Sequence, residues 1–193
     1  MRACSPGRAA TLPVIVALLL LGAGCGTDPQ PPAPDATPEA PADPDATPEA
    51  PADPGTVEVA VYLTNDLRGD PCTEVFPRPR TVDADDPLTG ALTALLEGPT
   101  PEEQDEGYGG WFSADTAGML HSAEVVSGTV MVDLADLRPV VPNASTSCGS
   151  SALLAQLDST ALDAADGASG VLYMIDGDQD VFYAWLQLAT PGM

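Results

Sequence analysis

Apolar residues along the chain follow two periods, one typical of strands and the other typical of helices. Alternating positions or short continuous apolar runs predict five strands and one shorter candidate. The five strands are residues 57–63, 119–126, 129–134, 171–175 and 181–186, and the shorter candidate is 80–82. Ser127-Gly128 and Asp176-Gly177 each separate two of these runs. Both dipeptides favour tight turns, so we expect two hairpins.

Two stretches have the helical period, with apolar residues on one face. In the first, Asp86 is a natural N-cap, Pro87 suits the first helical position, and a Gly-Pro pair ends the helix. Its apolar stripe consists of Leu88, Ala91, Leu92, Leu95 and Leu96. Ser150 or Ser151 is expected to cap the second helix, which ends before the glycines at 167 and 170. Its stripe consists of Leu153, Leu154, Leu157 and Ala161.

The predicted element order is β-α-β-β-α-β-β, with the two amphipathic helices packed on one mixed β-sheet. This order indicates an α/β (α+β) fold for residues 56–193, which are long enough to bury one core. Residues 100–110 and 135–149 show neither period, and we expect them to be loops.

The first 25 residues have the pattern of an export signal. Arg2 and Arg8 precede an apolar run at 11–21, which is too short to span a bilayer. Small residues then lead to Cys25, as in the lipobox of bacterial lipoproteins. We therefore expect residues 1–24 to be a signal peptide and Cys25 to be lipidated. An ordinary signal peptide is the alternative. Either one places the protein outside the cytoplasm, and a lipid on Cys25 would hold it at the cell membrane.

Residues 25–55 are expected to be a tether between the lipid and the folded domain. The decapeptide DATPEAPADP occurs at 35–44 and again at 45–54. A segment rich in proline and acidic residues, without large apolar side chains, forms an extended chain and not a core.

The chain is strongly acidic, with a formal net charge of −23, and all six of its basic residues are arginines. Such a surface repels phosphate backbones and anionic headgroups. Nucleic acid is therefore excluded as a partner, and contact with the membrane is expected through the lipid alone.

Two cysteines, Cys72 and Cys148, lie in the predicted domain. In an exported protein such a pair most economically forms one disulfide, and two unpaired thiols are the alternative. A zinc site is not expected, because His121 is the chain's one histidine and three ligands rarely complete a structural zinc shell.

Catalytic, metal-binding and cofactor residues are not expected. His121 has no nucleophile motif at a fixed spacing. The run Asp176–Asp180 begins like a calcium loop but has Val181 and Gln187 where glycine and glutamate would be needed. For the aromatic residues, packing in the core is the default expectation. Tyr108 and Trp111 are flanked by glycines and are the candidates for an exposed contact surface.

Several motifs in order resemble the GerMN (sporulation and spore germination) domain family. They are Val61-Tyr62-Leu63, Arg80-x-Val82, the helix end Leu95-Leu96-Glu97-Gly98-Pro99-Thr100, the helix 152–162 and the strand and turn 171–177. The resemblance covers about 56–187. It implies an α/β fold and a non-enzymatic lipoprotein that binds or scaffolds at the cell envelope, with an envelope protein or a wall component as partner. A module that binds wall sugars is the alternative, and a wall hydrolase is a less favoured one.

Overall fold

The computed structural model describes residues 55–192, which form six strands and four helices. The strands are β1 (Thr56–Asn65), β2 (Phe76–Asp83), β3 (Tyr108–Gly109), β4 (Leu120–Val126), β5 (Thr129–Leu134) and β6 (Gly170–Ile175). The helices are α1 (Pro87–Glu97), α2 (Pro101–Asp105), α3 (Ser147–Ala164) and α4 (Gln179–Trp185). The predicted α/β class is confirmed, although the strands form two sheets where one was expected.

The first sheet has the strand order β2-β1-β3, and both of its pairs are antiparallel. Burial increases along β1, because Val61 and Leu63 lie in the core whereas Val57 is exposed. The short strand candidate at 80–82 is part of the longer β2. That strand carries Pro77 and Pro79, which are compatible with its position at the edge of the sheet.

The second sheet has the order β4-β5-β6. The predicted hairpin of β4 and β5 around Ser127-Gly128 is confirmed, and β6 pairs in parallel with β5. The connection from β5 to β6 contains α3, as a parallel pair requires a long crossover. The central strand β5 contributes three fully buried side chains to the core, those of Val130, Val132 and Leu134.

Two helices connect the sheets. The first, α1, lies against β1, β2 and β4, and α3 lies against β1, α1 and β6. The apolar stripe of α1 is buried as predicted, and Asp86 caps the helix by accepting a hydrogen bond from the N–H of Thr89. On α3, Leu153, Leu157 and Ala161 are buried. One hydrophobic core therefore extends from the first sheet through both helices to the second.

Residues 181–186 were predicted as a strand, and this is wrong, because they fall largely within α4. Asp178 accepts a hydrogen bond from the N–H of Val181 and starts the helix. Phe182 is buried and stacks on Tyr173 of β6, with 4.9 Å between the ring centroids. A short apolar run does not distinguish a strand from a helix by its period, and here the cap favours the helix.

Two further boundaries differ from the prediction. The loop expected between α1 and β4 contains α2 and β3, because Thr100 and Glu103 form a capping box that starts α2. Helix α3 starts at Ser147, earlier than expected, because its N-cap is Thr146 and not Ser150 or Ser151.

A disulfide joins Cys72, in the loop between β1 and β2, to Cys148 near the start of α3. The two Cα atoms lie 4.7 Å apart, and the residues are 76 positions apart in the sequence. The bridge therefore attaches the loop of the first sheet to the helix that crosses to the second.

Reduction of this disulfide is expected to lower the free energy of unfolding by about 3 kcal/mol, because the bridge restricts the unfolded chain. Denaturant unfolding with and without a dithiol reductant measures the difference. A variant with both Cys72→Ser and Cys148→Ser should match the reduced protein and should not respond to the reductant. Identical unfolding midpoints for the oxidised and reduced protein would contradict this account.

Candidate binding site at Trp111

An open cleft of about 400 Å³ lies where the end of β1, the loop after it, β3 and the start of α3 meet. We name it the Trp111 cleft. Its lining consists of Thr64, Asp66, Pro71, Gly109, Gly110, Trp111, Cys148 and Ala152. Trp111 is half-buried, so part of its side chain remains accessible in the cleft.

One wall of the cleft is held by the disulfide. Pro71 directly precedes Cys72, and Cys148 itself lines the cleft. The same loop is fixed at its start, where the N–H of Asp66 donates to the carbonyl of Gly107 at 2.9 Å. The loop therefore has a fixed position relative to α3.

A fully buried amide, Gln156 of α3, holds the backbone of the cleft segment at Gly109 and Trp111. Its Oε1 accepts a hydrogen bond from the N–H of Trp111 at 3.0 Å, and its Nε2 donates to the carbonyls of Tyr62 at 3.3 Å and Gly109 at 3.5 Å. One turn later, Thr160 accepts from the N–H of Tyr62 at 3.0 Å. Side chains of α3 thus form hydrogen bonds with the N–H and carbonyl of Tyr62 in β1, and one of them also holds Trp111.

Position 110 must be glycine because the amide of Gln156 lies so close to it. A Cβ at position 110 would lie 2.1 Å from Nε2 of Gln156, much closer than any side chain can approach. The glycine before Trp111 therefore allows the backbone to reach Gln156.

Tyr108 was expected to be exposed beside Trp111, and this is wrong, because only 7% of it is accessible. The guanidinium groups of Arg68 and Arg78 lie over its ring, 5.2 and 4.5 Å from the centroid. Both arginines also donate to its hydroxyl. Tyr108 therefore supports β3 from inside the domain, and Trp111 remains the contact candidate of the pair.

Glu103 of α2 is the buried acceptor for two arginines of β2. Its carboxylate accepts hydrogen bonds from Arg80 at 2.6 and 2.8 Å and from Arg78 at 3.0 Å. Burial alone would raise the pKa of Glu103, but the hydrogen bonds from Arg80, the N–H of Thr100 and Arg78 lower this pKa to about 2. The ionised carboxylate therefore anchors α2, and with it β3, to the first sheet.

His121 lies away from the cleft, at the start of β4. Its Nδ1 is 3.7 Å from the carboxylate of Asp133 and 3.8 Å from that of Asp176, and its side chain is exposed. Both neighbours are carboxylates, whereas nucleophilic catalysis would need a hydroxyl or thiol. Asp178, in the segment compared with a calcium loop, instead caps α4. Within the described part of the chain, no group of three acidic, histidine or cysteine side chains could hold a metal ion.

The predicted signal peptide (1–24), the lipidation site Cys25 and nearly all of the tether (25–55) lie outside the residues that the structure describes. Of the helices in residues 55–192, none is long and apolar enough to cross a membrane.

Sequence reasoning did not identify Gln156 and Glu103. Gln156 and Thr160 are four positions apart and lie beside Leu153 and Leu157 on the helix, so two polar residues share the buried face. Such a pair in an apolar stripe indicates polar backbone groups to be satisfied. Glu103 had a clearer signal, because Thr-x-x-Glu is the sequence of a capping box.

These features define a mixed α/β domain with two sheets, buried polar side chains at Gln156 and Glu103, and the Trp111 cleft. The family model Germane, described as sporulation and spore germination, matches residues 60–181, and the chain belongs to this family. The predicted family is thus confirmed.

Two solved structures are similar to the chain. The tandem GerMN domains of the sporulation protein GerM from Bacillus subtilis match with a TM-score of 0.47 and 21% identity, over 65% of this chain and 41% of that one. A protein of Clostridium perfringens described as a candidate lipoprotein matches with a TM-score of 0.40 and 15% identity, over 64% of this chain and 77% of that one. The chain thus spans less than half of the GerM structure, and no curated protein matches it.

Glu103 is expected to make stability fall in acid. Its pKa is lowered from 4.5 to about 2, so its contribution is complete above 4.5 and is lost as the pH falls toward 2. The shift corresponds to about 3 kcal/mol. The free energy of unfolding, measured by denaturant from neutral to acid pH, should show this loss in the parent and not in Glu103→Gln. Glu106→Gln is the control, because Glu106 is exposed and 3.4 Å from Arg78. Equal pH profiles for the parent and Glu103→Gln would contradict the assignment.

Proposed function

We propose that the chain is an extracytoplasmic, lipid-anchored binding module without enzymatic activity. Residues 1–24 direct export, Cys25 carries the lipid, residues 25–55 form the tether, and residues 56–193 form the binding domain. The export pattern of the first 25 residues supports the anchor. The Germane match over 60–181 supports the assignment of the domain.

The observation that carries the binding role is the construction of the Trp111 cleft. The half-buried Trp111 lines the cleft together with Cys148 of the disulfide, and the amide of Gln156 holds its backbone N–H. A contact surface held in place before binding loses little conformational entropy when a partner arrives, and tryptophan is enriched in such contacts. The cleft is therefore suited to recognition.

The partner is an envelope protein or a component of the cell wall, because the anchor and tether hold the domain in that zone. The first candidate is an envelope protein, and the second is a wall sugar. Asp66 lines the cleft together with Trp111, and a carboxylate beside an aromatic face can hold a sugar through hydrogen bonds and stacking. Nucleic acid is not a partner of so acidic a surface.

A photoreactive amino acid in place of the exposed Pro71, at the edge of the cleft, is expected to capture the partner in intact cells. The experiment uses the full chain, so that the anchor and tether are present. The captured material identifies the class of partner, a protein band for the first candidate and wall fragments for the second. Adding Trp111→Ala should weaken binding about 30-fold and lower the yield accordingly, since a tryptophan at a binding hot spot contributes about 2 kcal/mol to an interface.

The control is the same photoreactive residue at the exposed Leu162 of α3, which does not line the cleft. Equal capture from both positions, or capture unaffected by Trp111→Ala, would contradict binding at the cleft.

A further inference from the structure

Thr64 of β1 lines the Trp111 cleft with a hydroxyl that has no partner in the domain. Only 7% of the residue is accessible. Within residues 55–192 this hydroxyl forms no hydrogen bond, although every fully enclosed side-chain oxygen or nitrogen in that range has a partner. The hydroxyl of Thr64 is therefore reachable from the cleft. Since buried polar groups are nearly always hydrogen-bonded, it is available to a polar group that enters the cleft.

Asp66, two residues later, brings to the same cleft a negative charge that no arginine of the domain neutralises. Two of the six arginines precede residue 55. The other four are engaged with other side chains, Arg68 with Tyr108, Arg78 and Arg80 with Glu103, and Arg138 with Asp136. Within residues 55–192 the carboxylate of Asp66 thus has no hydrogen-bond or ion-pair partner.

Together with Trp111, these two residues form a set of groups that suits a cation. A tryptophan ring attracts a cation over its face, a carboxylate pairs with it, and a hydroxyl oxygen accepts its hydrogen bonds. We propose that the Trp111 cleft binds a basic side chain of a protein partner, with Asp66 as its ion pair and Thr64 as a hydrogen-bond acceptor. An arginine fits best, because its planar guanidinium stacks on an aromatic ring while it donates to a carboxylate.

This inference rests on the proposed function and selects between its two partner candidates. A chain with a net charge of −23 attracts a basic surface, whereas a neutral sugar gains nothing from the charge. The start of α3 also lines the cleft at Cys148, and a helix N-terminus carries about half a positive charge. The full negative charge of Asp66 exceeds that partial charge, so the cleft favours a cation over an anion.

The arginine analogue N-acetyl-argininamide, added to the full chain in detergent, tests the proposal through the indole N–H signals in a proton–nitrogen spectrum. The chain has two tryptophans and hence two such signals, and Trp111→Phe identifies the one that belongs to Trp111. This signal should shift and saturate, while that of Trp185 stays in place. The uncharged isostere N-acetyl-citrullinamide should bind about tenfold more weakly. Equal binding of the two amides would overturn the proposal.

Two variants separate the contributions of the charge and the hydroxyl. Asp66→Asn should weaken binding of N-acetyl-argininamide about fivefold, whereas Glu124→Gln, which removes an exposed charge of β4 outside the cleft, should not weaken it. Thr64→Val keeps the shape and should weaken binding about fivefold without lowering the midpoint of unfolding, because the hydroxyl has no partner in the free domain. Equal affinities of the parent and Asp66→Asn would overturn the ion pair. A lowered unfolding midpoint in Thr64→Val would overturn the role of the hydroxyl.

A neutral sugar serves as the competing probe. An oligomer of N-acetylglucosamine that shifts the Trp111 signal while N-acetyl-argininamide does not would overturn the choice of a cation. The proposed function would then stand, provided that photocapture at Pro71 still depends on Trp111. Loss of that dependence would instead count against binding at the cleft as a whole, so the two failures are distinguishable.

Discussion

The buried amide of Gln156 is the constraint on which the candidate site depends. Strand β3 is two residues long and pairs only with the last two residues of β1. Beyond that pair, the chain leaves the sheet at Gly110, and the N–H of Trp111 finds no acceptor in the sheet. Gln156 satisfies this N–H and the carbonyls of Gly109 and Tyr62 with one side chain. Because an unpaired buried backbone group costs about 1–3 kcal/mol, this amide fixes where Trp111 can lie.

Electrostatics adds a second fixed point in a chain with few cations. Three of its six arginines, Arg68, Arg78 and Arg80, gather around Glu103 and Tyr108. Helix α2 is only five residues long and would not persist alone. The bonds from both β2 arginines to one buried carboxylate hold it against the first sheet. Elsewhere in the described residues, Arg138 pairs with Asp136 at the surface, 2.7 Å from Nε to the carboxylate.

The sequence was informative where local signals and tertiary packing agree. Helix α1 has a cap, a proline at its first position and a full apolar stripe, and it begins and ends as predicted. The β4–β5 hairpin follows from its two-residue turn. The strand predicted at residues 181–186 was wrong because a short apolar run fits both periods. The Asp178 cap and packing on Tyr173 favour the helix there. The predicted exposure of Tyr108 was wrong because the residues that cover its ring, Arg68 and Arg78, are distant from it in sequence. Of the candidate contact pair, Tyr108 is buried and Trp111 is half-buried at the cleft.

The central claim is that one side chain positions the wall of the cleft. Hydrogen exchange at the amide of Trp111, compared between the parent chain and Gln156→Met, tests it most directly. Methionine keeps the volume and removes the acceptor, so exchange at Trp111 should accelerate by about tenfold or more, while the amides of β5 keep their protection. Gln104→Met, at an exposed glutamine of α2, should change neither. Unchanged protection of Trp111 in Gln156→Met would contradict the account.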